Sequence, residues 1–85
     1  MTGHEQIADI LRTALIENQI ALPSDLDFAI SEIKLSDIDL DSISLVYVVM
    51  AFETRLSIDD LNLEIDETTK IRDLYSQIYQ AANRT

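Results

Sequence analysis

Residues 41–56 of the chain read DSISLVYVVMAFETRL. Apolar residues recur in this stretch at spacings of three and four, which places them on one face of an α-helix of about four turns. These residues are Leu45, Val48, Val49, Phe52 and Leu56. Asp41 and Ser42 stand at its start, where short polar side chains cap free backbone amides. The β-branched residues make a buried strand over residues 43–50 the competing prediction, but the length of the periodic run favours a helix.

Two further helices are predicted on either side of this one. An N-terminal helix is indicated by Ile7, Ile10, Leu11, Ala14 and Leu15. Thr2 and Glu5 have the spacing of a capping box at its start, and it is expected to end near residues 18–21, before Pro23. A last helix is indicated by Ile71, Leu74, Tyr75 and Ile78, with Thr69 as its cap.

The segments between the helices differ from them in pattern. Residues 24–41 mix apolar and acidic residues without a period, which predicts a long loop that packs on the core and contains one short turn of helix. Residues 59–67 are acidic with alternating leucine and isoleucine, and they form either a short irregular helix or an extended loop. One glycine and one proline in 85 residues leave few helix breakers.

The predicted fold is therefore all-α, a small four-helix bundle with three long helices and one short one, in a single domain over residues 1–85. A chain of this size can bury only a modest core. The predicted core consists of Ile7, Leu11, Leu15, Phe28, Leu45, Val48, Val49, Phe52, Leu56, Ile71, Leu74 and Ile78.

The chain is strongly acidic, with sixteen Asp and Glu against six Lys and Arg and a net charge of -10. Nucleic-acid binding is excluded because it requires clustered cations, and anionic membrane surfaces are disfavoured for the same reason. No apolar run is long enough for membrane insertion, and the N-terminus lacks the pattern of a signal peptide, so a cytoplasmic protein is expected. Segment 25–41 has six carboxylates and one lysine, and segment 59–67 has five carboxylates and no cation, so together they account for the whole net charge.

The residues that usually carry catalysis are scarce. There is no cysteine, the only histidine is His4, and a single glycine cannot form a glycine-rich phosphate loop. His4 is predicted to be a solvated terminal residue. The protein is therefore not expected to be an enzyme.

A calcium site is the first interpretation of the acidic stretch before the central helix. Asp37, Asp39 and Asp41 have the spacing of positions 1, 3 and 5 of an EF-hand loop. Position 6 would be Ser42 where the turn needs glycine, and position 12 would be Val48 where a glutamate must close the ligand shell. No metal site is predicted.

A second interpretation makes Ser42 the functional residue. The run Asp41-Ser42-Ile43, followed by Val46, by the VMAFE of residues 49–53 and by Leu56, resembles the signature of the acyl carrier proteins of fatty-acid and polyketide synthesis. The resemblance extends over nearly the whole chain, since its helix order, size and acidity are also similar to that family.

This resemblance implies a non-catalytic carrier. Ser42 would receive 4'-phosphopantetheine from coenzyme A, with Asp41 as the flanking motif residue that a phosphopantetheinyl transferase recognises. The chain would then hold acyl or aminoacyl groups as thioesters for acyltransferase, ligase or ketosynthase-type enzymes, acting as a monomer. A dedicated polyketide or other secondary-metabolite pathway is favoured over housekeeping fatty-acid synthesis.

Departures from the family pattern affect the expected docking surface. Asp39 stands where the family commonly has glycine, and Ile43 replaces the usual leucine. The central helix is neutral, so partner docking is predicted to depend on Ile43, Val46, Tyr47, Met50 and Glu53. The alternative for Val46 and Met50 is burial against the third element. The competing function is an acidic interaction module that is never modified and in which Ser42 is only a helix cap.

Overall fold

A computed structural model describes residues 3–58, 61 and 63–83. Helix α1 spans His4–Glu17, α2 spans Ser42–Leu56 and α3 spans Ile71–Ala82, and a short 3-10 turn forms at Leu35–Ile38. The all-helical prediction is confirmed, since the described residues contain no strand, only an isolated bridge between Lys34 and Lys70. Within them, no helix is both long and apolar enough to cross a bilayer.

The four-helix count is not confirmed. The described residues hold three helices and the 3-10 turn, which lies within the long loop where one short turn was expected. Between α2 and α3, residues 61 and 63–70 are not helical. Of the two predictions for residues 59–67, these residues agree with the extended loop rather than the short helix. Residues 59, 60 and 62 lie outside the described residues.

Side chains account for this extended path. The Gln77 amide oxygen accepts the Glu64 amide proton at 2.8 Å and its nitrogen donates to the Glu64 carbonyl at 3.0 Å. The Asp66 carboxylate accepts from the amide and the hydroxyl of Thr68 at 2.8 and 2.7 Å. The Asp66–Thr68 bonds are local and compete with helix formation because they satisfy the same backbone groups, and the Gln77 bonds hold the segment to α3.

The ends of the helices follow the sequence only in part. Helix α1 begins after Gly3, which supplies no side-chain cap, and Thr2 of the predicted capping box lies outside the described residues. Helix α1 ends at Glu17, next to the expected range, and Asn18 Nδ2 donates to the Ala14 carbonyl at 2.7 Å. Helix α2 begins at Ser42 as predicted, so the alternative of a strand over residues 43–50 is wrong.

Thr69 is not the cap of α3, contrary to the prediction. The helix begins after Lys70, and no side chain caps it. Instead, the Ile71 amide donates to the Ile33 carbonyl at 2.8 Å and the Arg72 amide to the Ser31 carbonyl at 3.1 Å. The long loop thus satisfies the first free amides of α3, a long-range arrangement that sequence spacing does not reveal.

The core lies between the three helices and the long loop. Nine of the predicted core residues are buried, whereas Leu45, Val49 and Leu56 are partly buried and pack against them. Seven residues outside the predicted core are also buried: Ile10, Ala14, Ile20, Leu35, Leu40, Leu61 and Tyr75. Residues 18–21 line a cavity together with Asp41 and Ser44, so the end of α1 lies beside the start of α2.

Candidate functional site around Ser42

Ser42 is exposed at the first position of a 15-residue helix. The residue before it, Asp41, is the N-cap, and its Oδ1 accepts the Ser44 amide proton at 2.8 Å. This bond confirms the predicted side-chain cap. Because Asp41 binds the amide at the third helical position, the Ser42 hydroxyl is not needed as the cap.

The electrostatics of this helix start are set by hydrogen bonds. Bonds from the backbone amide and the hydroxyl of Ser44 lower the pKa of the Asp41 carboxyl, and the Ile43 amide adds to the effect. The carboxylate is therefore ionised at neutral pH. Since the folded-state pKa is the lower one, this cap stabilises the fold above the unfolded-state pKa and is lost as the pH falls through the folded-state value.

The backbone ahead of Asp41 turns sharply to bring this site to the surface. Asp39 ends the 3-10 turn in the left-handed conformation, with φ 57° and ψ 33°. The next residue, Leu40, is buried, and its amide donates to the Leu35 carbonyl at 3.1 Å. The turn thus inserts Leu40 into the core and leaves Asp41 and Ser42 exposed.

Substitutions at Asp39 are expected to follow the tolerance of each side chain for the left-handed region. Asp39→Asn and Asp39→Gly should stay close to wild type, whereas Asp39→Val should lose about 1–2 kcal/mol because a β-branched side chain is strained there. Urea unfolding measures the free energy. Asp25→Val is the control, since this exposed loop residue has no positive φ. Equal stability of Asp39→Val and Asp39→Gly would contradict the strain argument.

The apolar residues predicted for docking are exposed on α2. The exposed fractions are 68% for Ile43, 56% for Val46, 57% for Tyr47 and 53% for Met50. Of the two alternatives for Val46 and Met50, the structure shows exposure rather than burial. Both also line a groove of about 410 Å³ between α2 and the segment after it, with Leu45, Val49, Glu53, Leu61, Leu63 and Ile65.

Glu53 has a structural contact that the sequence did not indicate. Its Oε2 accepts the Leu61 amide proton at 3.1 Å, and Leu61 is buried. Within the described residues Glu53 forms no ion pair with Arg55. The carboxylate therefore holds the segment after α2 against the core.

Glu53→Ala is expected to destabilise the fold by about 1–3 kcal/mol, because the partly buried Leu61 amide loses its acceptor. Glu53→Gln keeps an acceptor oxygen and should retain most of the stability. The measurements are urea unfolding and hydrogen exchange of the Leu61 amide. Glu67→Ala, which removes an exposed carboxylate of the segment before α3, is the control. Equal losses of stability in Glu53→Ala and Glu53→Gln would contradict the role of Glu53 as the acceptor for the Leu61 amide.

His4 is exposed, as expected of a solvated terminal residue, but the prediction is wrong in leaving it without contacts. Its ring stacks on Tyr79 with centroids 4.1 Å apart and an interplanar angle of 9°. The Tyr75 hydroxyl donates to the His4 carbonyl at 3.0 Å and lies 2.8 Å from His4 Nδ1. The sequence did contain one signal for an aromatic contact, since Tyr75 and Tyr79 are four residues apart and therefore share one face of a helix.

His4 and Ser42 do not form a common site. His4 is the first residue of α1, whereas the end of α1 lies beside the start of α2. The 14 residues of α1 separate the two ends by about 20 Å. Among the described residues, no three or more His, Asp or Glu side chains are placed to hold a metal ion.

No protein-family model matches the chain, and neither a curated protein nor a solved structure shows significant similarity to it.

Proposed function

We propose that the protein is an acyl carrier and that Ser42 is its attachment site for 4'-phosphopantetheine. The observation that carries this proposal is the exposed Ser42 hydroxyl at the start of α2, directly after a capping Asp41. The serine is accessible to a modifying enzyme, and Asp41 holds the helix start in a fixed geometry through its bond to Ser44.

The left-handed backbone at Asp39 supports the same proposal. The acyl carrier signature commonly has glycine at this position, two residues before its Asp-Ser pair. Glycine is preferred where φ is positive, and Asp39 has φ 57°. The departure at Asp39 thus changes the side chain while the turn keeps a conformation that suits glycine.

Two features of the surroundings of Ser42 favour attachment of the group: accessibility and the end of a helix. Ser42 is exposed, and the N-terminus of α2 favours a negatively charged phosphodiester. Asp37, Asp39 and Asp41 oppose that charge, but all three are exposed and therefore screened by solvent and salt.

The modification would be a phosphoryl-type transfer at the serine oxygen. The Ser42 oxygen forms a bond to the phosphorus of coenzyme A that bears the pantetheine. The phosphorus–oxygen bond within the diphosphate breaks, adenosine 3',5'-bisphosphate leaves, and the hydroxyl proton passes to a base of the transferase. When bound, the prosthetic group supplies the thiol that carries acyl groups as thioesters.

The chain itself would position and present the cargo. The neutral apolar face of Ile43, Val46, Tyr47 and Met50 would contact acyltransferase, ligase or ketosynthase-type partners, while Glu53 supports that face by anchoring Leu61. Docking through a small exposed face would be transient, as a carrier that visits successive enzymes requires. A dedicated polyketide or other secondary-metabolite pathway in the cytoplasm fits this neutral face better than fatty-acid synthesis does.

The exposed face of α2 also favours a second candidate function, an acidic interaction module that is never modified. One experiment separates the two. The apo protein is incubated with coenzyme A and a promiscuous phosphopantetheinyl transferase, and its intact mass is measured. A gain of one phosphopantetheine is expected for a carrier, and an unchanged mass would refute the carrier function.

A further inference from the structure

A second groove lies on the face formed by α1 and the long loop. Two adjoining cavities of about 360 and 400 Å³ share Glu5, Ala8, Asp27 and Phe28. On α1 the groove follows one stripe from His4 to Arg12. This stripe is about 12 Å long, the length of about four extended residues.

The carboxylates of this groove are not neutralised. Glu5, Asp9 and Asp27 are all exposed, and within the described residues none of them forms an ion pair. Asp27 Oδ1 accepts the Ala29 amide proton at 3.0 Å, which holds this carboxylate at the groove. The three negative charges therefore face solvent along one groove.

The single cation of the groove is already committed. Arg12 donates to the Leu26 carbonyl at 3.1 Å and to the Pro23 carbonyl at 3.4 Å, and its guanidinium lies 5.2 Å from the centre of the Phe28 ring. These contacts hold the loop against α1. Arg12 thus builds the groove wall, and the groove keeps an excess of negative charge.

The groove also offers an apolar surface. Ala8, Leu26 and Ala29 line it with accessible apolar atoms, and behind them the buried Phe28 ring stacks with Tyr75 at a centroid distance of 6.4 Å. Long basic side chains combine an apolar stem with a charged end, so they complement a wall of this kind beside carboxylates. An acidic segment would be repelled, and a purely apolar one would leave the three carboxylates without partners.

We propose that this groove docks a short basic segment of another protein, in which lysine or arginine side chains alternate with apolar ones. The groove adjoins the His4 end of α1, whereas Ser42 lies near the other end, so both sites can be occupied together. Docking there would tether the protein to a partner while the start of α2 stays accessible. The tether would raise the effective concentration of the partner at the start of α2. The proposal does not depend on modification of Ser42.

The test is a titration of the apo protein with a short blocked peptide of alternating lysine and leucine, followed by amide chemical shifts in NMR. Shifts are expected at residues 5–12 and 26–29. The groove variant Glu5→Gln/Asp9→Asn/Asp27→Asn should bind about tenfold more weakly, the size expected for three exposed charge contacts. Asparagine at position 27 keeps an acceptor for the Ala29 amide.

The matched control is Asp25→Asn/Glu64→Gln/Glu67→Gln, which has the same net charge and neutralises exposed carboxylates outside the groove. It should bind nearly as wild type. Equal weakening of the two variants would show attraction to net charge alone and overturn the proposal. Shifts confined to α2, or the absence of binding, would overturn it as well.

Discussion

Ser42→Ala is expected to abolish phosphopantetheine transfer to the protein while leaving the fold intact. The substitution removes the oxygen that would bond to phosphorus in the proposed modification, and no neighbouring group can replace it at the same position. Stability should change by less than about 0.5 kcal/mol, because Ser42 is exposed and the cap is supplied by Asp41. Intact mass after incubation with coenzyme A and transferase measures the modification, and circular dichroism checks the fold.

Ser44→Ala is the matched control for this prediction. Ser44 is the other hydroxyl in the first turn of α2. Its substitution removes the hydroxyl contact to Asp41 but keeps the amide bond that caps the helix. The Ser44→Ala variant should be modified like wild type. Modification that persists in Ser42→Ala and disappears in Ser44→Ala would move the attachment site and contradict the assignment.

Phe52→Ala is expected to remove a large share of the free energy of unfolding. Phe52 is fully buried in the core on the inward face of α2. Its truncation should cost about 3–5 kcal/mol through lost burial and the cavity left behind. A chain of this length has a total stability of about 4–13 kcal/mol, so the loss takes a large share of it.

Tyr47→Ala tests whether this effect comes from burial. Tyr47 is an aromatic residue of the same helix, but it is 57% exposed. Its removal should change the free energy of unfolding by about 0.5 kcal/mol or less. Thermal and urea unfolding compare the two variants, and a Phe52→Ala protein as stable as Tyr47→Ala would contradict the described core.

The sequence predicted the parts of the fold that depend on local pattern. The inward stripe of α2, with Val48 and Phe52 at helical spacing, is buried as expected, and the Asp41 cap is present. Both signals act within a few residues, since helical periodicity and side-chain capping are local effects.

The contacts that the sequence did not predict join residues far apart in the chain. Loop carbonyls at Ser31 and Ile33 cap α3 in place of Thr69, and Gln77 binds the backbone of Glu64. A backbone carbonyl carries no residue-specific signal, so its partner becomes known only in the folded chain. The same limit applies to His4, whose partners on α3 lie 71 or more residues away.

The candidate site likewise contains features that the sequence predicted and features that it did not. Exposure of Ser42 and the cap next to it follow from local pattern, whereas the structural contact of Glu53 with Leu61 depends on the path of the segment after α2. The left-handed conformation of Asp39 had one sequence signal, the glycine of the acyl carrier signature at that position.

The central claim is that Ser42 itself carries the prosthetic group, and peptide-level mass spectrometry tests it most directly. Trypsin cleavage after Lys34 and Arg55 releases residues 35–55, which contain Ser36, Ser42 and Ser44. After incubation with coenzyme A and transferase, fragmentation of this peptide should place phosphopantetheine on Ser42. An unmodified peptide, or the group on any other residue, would contradict the carrier function proposed for Ser42.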